Sequence, residues 1–333
     1  MAVRLVFTTL KKLDKRPVPK RAGELRGFVT VRNELRRLPA FLRHHRKLGV
    51  KRFFFADNLS TDGTTEYLLR QDDCHVYSAP GNHFSENVTP LNWTNSLCNL
   101  YGSGHWCLTV DADELFVYPH YERVSLLKLC EFLVGQGLEA VSTPMIDMYS
   151  AKPVTKTRHD PSKSFLDTCP LFDPHPDWVM PIQQAPGWQM FGGVRRRVFW
   201  RGLPETNIPP CISKVPLIRW KRGMEYLSAA HIHSGAKVAS LRGALLHFKF
   251  IDGFAFSSQE QLEIGRDVQE KGLSERQVYV QRLSLEPHLC LADAKSLRYE
   301  GSAQLVKTGW MTTTPSYEKY VASLRPRSSS AKP

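Results

Sequence analysis

The chain has 333 residues, 42% of them hydrophobic, and a formal net charge of +13. It is therefore long and apolar enough for one large domain or two smaller ones, and its charge asks for an anionic partner (nucleic acid, an acidic membrane surface or a phosphorylated substrate) unless that charge is simply spread over the surface. Seven scattered cysteines without a Cys-x-x-Cys pair argue against a disulfide scaffold or zinc site and for a reducing compartment; no zinc-finger, helix-turn-helix or RNA-binding aromatic motif is present, and no apolar run approaches a membrane span.

Residues 1–24 are basic, with Pro17 and Pro19, and read as a loose lead-in without a signal peptide. A first strand is expected over Gly27–Val31, ending in Arg32-Asn33-Glu34. Leu38, Phe41, Leu42, His45 and Leu48 share one helical face, with Pro39 in the first turn and Gly49 as C-cap. Arg43, His44, His45, Arg46 and Lys47 give the same helix a basic run opposite its apolar face; the run reads as mostly surface and as a candidate contact with anionic lipid. Arg52–Ala56 holds three consecutive phenylalanines, which suits a strand covered on both faces. A polar loop follows, Asp57 to Thr64, with Asp62 or Thr64 capping the next helix. Further strands are expected at Val76–Ala79, His105–Val110 and Ala140–Met145, and helices at Pro90–Tyr101 and Val124–Gly135. Five alternations of strand and helix predict an α/β fold with a mostly parallel twisted sheet and helices on both faces.

From Tyr149 to Pro216, prolines, aromatics and arginines replace helical periodicity, which predicts an irregular region packed on the first half. Ser258–Lys271, Ser274–Leu285 and Ala294–Val306 are expected helices, and the tail from Pro326 is expected to be disordered.

The most informative stretch is His105–Pro119. An apolar strand there runs into Asp111, Asp113 and Glu114. In extended backbone Asp111 and Asp113 leave on the same side. Two such carboxylates suit a divalent cation, since Mg²⁺ and Mn²⁺ are held by one or two carboxylates plus substrate phosphates; the plain alternative is a solvated acidic turn. His247 is a third candidate ligand, with His231 and His233 as rivals. Asp147, just after the fifth strand, and Glu114 are candidate proton acceptors, with Asp173 and Asp177 behind them. Arg195-Arg196-Arg197 can bind phosphate or form a solvated strand with alternating faces. Trp178, Trp188, Trp200 and Trp220 can stack on sugars or fill the core.

Together the segments Arg32-Asn33-Glu34, Leu38 to His45, Gly49-Val50, Asp57-Asn58-x-Ser60-Thr61-Asp62-Gly63-Thr64 and Asp111-Ala112-Asp113-Glu114 resemble a family 2-type glycosyltransferase. The nearest branch is the one labelled glycosyltransferase 2-like 4, related to the family 92 enzymes. Later pieces share the resemblance: Asp147-Met148-Tyr149, Gly192 to Arg197, Ser213 to Leu217 and Leu245 to Phe250. The resemblance covers roughly residues 25–255. It implies a GT-A fold and an inverting transfer from a nucleotide diphosphate-sugar, with a UDP-sugar as the expected donor and a glycan or lipid-linked acceptor. It further implies that Arg32, Asn33 and Glu34 lie near the nucleotide, with Asp57, Asn58 and Asp62 beside the base. Asp111 and Asp113 would hold ribose and Mn²⁺ or Mg²⁺, and His247 would complete the metal site.

The implied organisation is a lead-in (1–24) and a transferase domain (25–257) divided at 148 into nucleotide-sugar and acceptor halves. A helical extension (258–325) and a tail (326–333) follow. The expected location is cytoplasmic, peripheral at the inner face of the membrane. Two other classes remain open at this stage: a basic nucleic-acid-binding protein and a metal-dependent phosphohydrolase.

Overall fold

In a computed structural model, the structure describes residues 10–21, 23–79, 90–175, 178–179, 189–205, 207–228, 232–251, 254 and 273–324. Among these, nine strands form one sheet: β1 (Lys11–Lys12), β2 (Leu25–Val31), β3 (Arg52–Asp57), β4 (Cys74–Ser78), β5 (Trp106–Thr109), β6 (Glu114–Val117), β7 (Ala140–Asp147), β8 (Ser213–Arg219) and β9 (Ala244–His247). Their spatial order is β1-β4-β3-β2-β5-β8-β7-β9-β6. Strands β4, β3, β2, β5, β7 and β9 point the same way, whereas β1, β8 and β6 run against them. The fold is thus α/β with a mostly parallel sheet.

The three phenylalanines of β3 explain why both faces must be covered. Phe53 and Phe55 meet Phe41 of helix α1 (Leu38–Leu48), at 6.2 and 6.5 Å between ring centroids. Phe54 points the other way, stacking on Tyr101 of helix α3 (Pro90–Tyr101) at 4.7 Å. Helix α2 (Thr64–Leu69) returns the chain from β3 to β4. Helix α1 ends where Gly49 adopts φ 110°, a conformation that costs a glycine little, and its N–H bonds back to Arg46. Helix α4 (Leu126–Gly135) precedes β7.

Several sequence expectations change here. The lead-in is not loose over residues 10–21: β1 pairs with β4, and Asp14 accepts the Val76 N–H at 3.1 Å. Arg195-Arg196-Arg197 lies in a short helix, α6 (Val194–Val198), not a strand; before it in the irregular region the described residues form a 3-10 turn (Val154–Lys156) and helix α5 (Phe165–Thr168). The division at 148 does not separate two bodies, because β8 from the second half lies between β5 and β7 of the first. Helix α7 (Glu275–Leu285) begins at Ser274 in a capping box with Gln277. The expected helix over Ala294–Val306 shortens to α8 (Ser302–Lys307), preceded by a two-residue strand. Helix α9 (Pro315–Ser323) docks on α4, with Tyr317 and Phe132 rings 5.0 Å apart. The expected helix at 258–271 and the tail lie outside the described residues, as do His231, Asp177 and Trp188.

His44 and His45 are not surface groups. His45 is fully buried and His44 partly so; one ring nitrogen of each contacts the backbone of Phe116 on β6, at 3.4 and 2.8 Å. Arg43 and Arg46 are engaged with Lys163 and Asp73, so the basic face of α1 is largely tied into the protein. No helix among the described residues is long and apolar enough to cross a membrane.

Candidate functional site

Ligands of open α/β sheets gather beyond the carboxyl ends of parallel strands. Five like-directed strands deliver the sequence candidates to that edge. Strand β2 ends before Arg32-Asn33-Glu34, β3 ends in Asp57, β5 leads to Asp111 and Asp113, β7 ends in Asp147 and β9 in His247.

The loops after β2 and β3 interlock. The Asn33 N–H donates to the Ser60 hydroxyl at 2.9 Å, and the Asn33 side chain accepts from the Thr61 N–H at 2.8 Å. The Glu34 N–H donates to Thr64 and the Leu35 N–H to Asp62. Asn33 stands at φ 57°, a left-handed conformation that asparagine tolerates and that these four bonds hold. Asp57 is buried and accepts from Ser60 and from the hydroxyl of Thr65. Asn58 is buried, donating to Ala79 and accepting from Arg32. Asp57, Asn58 and Asp62 therefore build the loops from within, and Arg32 and Glu34 are the charged groups those loops carry.

Asp111 and Asp113 do not share a side. Residues 111–114 form a turn closed by the Glu114 N–H on the Asp111 carbonyl at 3.0 Å, because the chain must reverse here to begin β6. The extended-backbone premise fails, and the two carboxylates take different partners. Asp111, with its side chain 59% exposed, receives Lys214 Nζ at 2.6 Å. Lys214 is buried on β8 and also donates to Glu114 at 2.6 Å. The two carboxylates hold the lysine above its usual pKa against the effect of burial. Glu114 is itself fully buried, and its second oxygen accepts the Asp111 N–H. It is locked in a structural pair and presents no surface for proton transfer.

Asp113 instead faces His247, with Oδ2 3.5 Å from Nε2. His247 Nδ1 contacts Asp147 Oδ1 at 2.6 Å, and Asp147 Oδ2 receives Arg195 Nε at 2.9 Å. The Asp147 side chain is 1% exposed. Asp147 thus backs the histidine and is not an open base, and Arg195 is spent on Asp147 and Glu275 and is not free for phosphate. Gly193, at φ 72°, starts α6 beneath Asp147; a Cβ there would sit 3.7 Å from the Asp147 carboxylate. Burial lowers the His247 pKa, but Asp113 and Asp147 outweigh it and push it up to about 9. Burial raises Asp113, yet His247, Arg37 and Lys249 hold it below the usual carboxylate range. Glu34 is paired with Arg37 at 2.8 Å, and burial together with Asp113 and Asp111 pushes its carboxyl up to about 7. The edge thus gathers acidic groups that are each set against a cation of the protein: Glu34 against Arg37, Asp111 and Glu114 against Lys214, Asp113 against His247 and Asp147 against Arg195.

Among the described residues, no group of three or more His, Cys, Asp or Glu side chains stands in a metal-holding arrangement. The expected trio reduces to Asp113 and His247. His233 belongs to a two-stranded ladder with Tyr226, away from this set. Asp173 is held by Arg197 through both oxygens at 2.9 Å. Trp200 and Trp220 are core residues. Lys214 is a residue of this edge whose role the sequence did not disclose; the available signal was a lysine directly before the apolar run Val215–Ile218 of its strand.

No family model matches the chain, and no curated protein matches it. Among solved structures, one UDP-glucose pyrophosphorylase from Acinetobacter baumannii aligns with a TM-score of 0.33 and 9% identity, covering 80% of this chain and 100% of that one. A UTP-bound form from the same organism aligns at 0.26 and 8% identity, covering 91% of this chain and 100% of the other. A UDP-glucose complex of such an enzyme aligns at 0.28 and 9% identity, covering 90% and 99%. Likeness of this degree carries no inference about activity.

Proposed function

We propose that the chain transfers a sugar from a nucleotide diphosphate-sugar, with UDP as the nucleotide, to a hydroxyl of a glycan or lipid-linked acceptor, with inversion. The observation that carries the reading is the line Asp147–His247–Asp113 at the carboxyl ends of β7, β9 and β5. A carboxylate behind one ring nitrogen fixes the orientation of a histidine whose other nitrogen faces a second ligand. Asp113 Oδ2 and His247 Nε2 are near enough to share one cation, Mn²⁺ or Mg²⁺, and imidazole with carboxylate is a chemically sound donor set for it. The remaining ligands would come from substrate phosphate and water, as is usual for such ions. The bound cation would supply neutralisation of the departing diphosphate.

The chain's own residues do the rest. Asp147 and Arg195 hold His247 in register. Lys214 and Glu114 hold the 111–114 turn and leave Asp111 partly exposed for ribose hydroxyls. The interlocked loops of Asn33 and Ser60 form the wall expected beside the base. The test is turnover of UDP-sugars, read as UDP release with Mn²⁺. Wild type is expected to release UDP and Asp113→Ala to release none while melting normally. Equal turnover by the two proteins would end the proposal.

A further inference from the structure

A cavity of about 480 Å³ lies against the irregular region, and its wall holds none of the candidate-site residues. Its wall includes Lys152, Arg158, Lys163 and Arg298. Among the described residues, none of these four forms an ion pair with a carboxylate; Arg158 donates only to the carbonyls of Thr155 and Thr157. The wall also holds Asp160 and Asp167, but both are turned into their own loops. Asp160 accepts from the N–H and hydroxyl of Ser162 at 3.0 and 2.8 Å, and Asp167 accepts the Ser164 N–H at 2.9 Å in the capping box of α5. Four cations thus border one concave space against two carboxylates that are already hydrogen-bonded within their own loops, which leaves the wall with an excess of positive charge.

Like charges repel, so such a set is favoured when an anion shared among them relieves the repulsion. Guanidinium groups match the planar or tetrahedral oxygens of carboxylate, sulfate and phosphate. Hydrogen bonds tie the cavity's wall to the segments that carry the candidate site. Leu171 on its wall bonds to Tyr149, two residues beyond Asp147, and the His159 carbonyl next to Arg158 accepts from Arg36, next to Arg37 of the charged cluster.

We propose that this cavity binds an anionic group (phosphate, sulfate or carboxylate) carried by the acceptor glycan. The word acceptor rests on the transferase reading; the anion site does not.

The experiment is calorimetric titration of the full chain with inorganic pyrophosphate in the presence of EDTA, which removes divalent cations from the first site. Wild type is expected to bind with an affinity that falls steeply with added salt. Arg158→Ala/Arg298→Ala is expected to bind at least about tenfold more weakly, since hydrogen bonds to charged groups are worth that much each. Lys163→Glu, a charge reversal at an exposed position, is expected to weaken binding likewise, and Asp113→Asn to bind as wild type does. Unchanged affinity in both cavity variants, or loss in Asp113→Asn, overturns the site. Retention on phosphatidylserine vesicles that depends on the same arginines overturns the glycan assignment in favour of a membrane surface. A transferase failure would show separately, as UDP-sugar turnover indifferent to Asp113→Ala.

Discussion

His247 Nδ1 lies 2.6 Å from Asp147 Oδ1, which leaves Nε2 turned toward Asp113. Two elements that meet only as neighbouring parallel strands set this pair, with His247 registered opposite Asp147. Removing the charge behind a ligating histidine typically lowers metal affinity by about 10–100-fold. Asp147→Asn is therefore expected to weaken Mn²⁺ binding by about that factor, measured by electron paramagnetic resonance of free Mn²⁺. An affinity equal to wild type would show that Asp147 does not orient the ligand.

Asp111 and Asp113 should separate in function. Asp113→Asn removes the carboxylate facing His247 and is expected to cost several kcal/mol of transition-state stabilisation, about a thousandfold in kcat. Asp111 is largely exposed and already paired with Lys214, so Asp111→Asn is expected to stay within about tenfold of wild type. Steady-state kinetics of both variants with one UDP-sugar checks the order; equal losses would restore a symmetric acidic pair.

Lys214 is a stability determinant. Removing it leaves Glu114 buried without a counter-charge, and breaking such a pair costs about 3–5 kcal/mol. Lys214→Met is expected to lower the urea midpoint accordingly. Lys214→Met with Glu114→Gln is expected to recover part of the loss, because the stranded charge is gone. No recovery would mean that packing of the lysine stem, not its charge, is what matters.

His45 gives the fold an acid-sensitive point. Burial, with the neighbouring His44, holds its pKa well below the ordinary value against the opposing pull of the Phe41 carbonyl on Nδ1, and Nε2 is occupied in accepting the Phe116 N–H. Below about pH 6.5 the unfolded chain takes up a proton there that the folded chain refuses, so stability falls as pH drops through that value. Glu34, raised to about 7, pulls the other way between pH 7 and 4.5. The difference between wild type and His45→Gln isolates the histidine. Wild type is expected to lose more stability than the variant between pH 7.5 and 5 in chemical denaturation. Identical pH slopes would contradict the assignment.

The parallel half of the sheet was legible because its signals are local. Helix α1 begins and ends at the residues its apolar spacing and Gly49 predict, and the three phenylalanines of β3 required cover on both faces. What the chain hid depends on partners far away in sequence. Strand β8 sits among prolines and is defined by β5 and β7 on either side of it. Lys214 gains its meaning from Glu114, a hundred residues earlier. Strand β6 is only four residues long, so the turn that splits Asp111 from Asp113 had no periodic trace. Three successive arginines have no hydrophobic period, and it takes the contacts with Asp147 and Glu275, far away in sequence, to explain why Arg195 is buried.

The central claim, that Asp113 and His247 hold a cation which receives the diphosphate, is tested most directly by the melting temperature of the full chain with UDP, with and without Mn²⁺. A ligand that binds only the folded state raises that temperature. UDP is expected to raise it only when Mn²⁺ is present, and Asp113→Asn and His247→Ala are each expected to abolish the rise. A UDP-induced rise that is the same without Mn²⁺, or that survives in both variants, would contradict the claim.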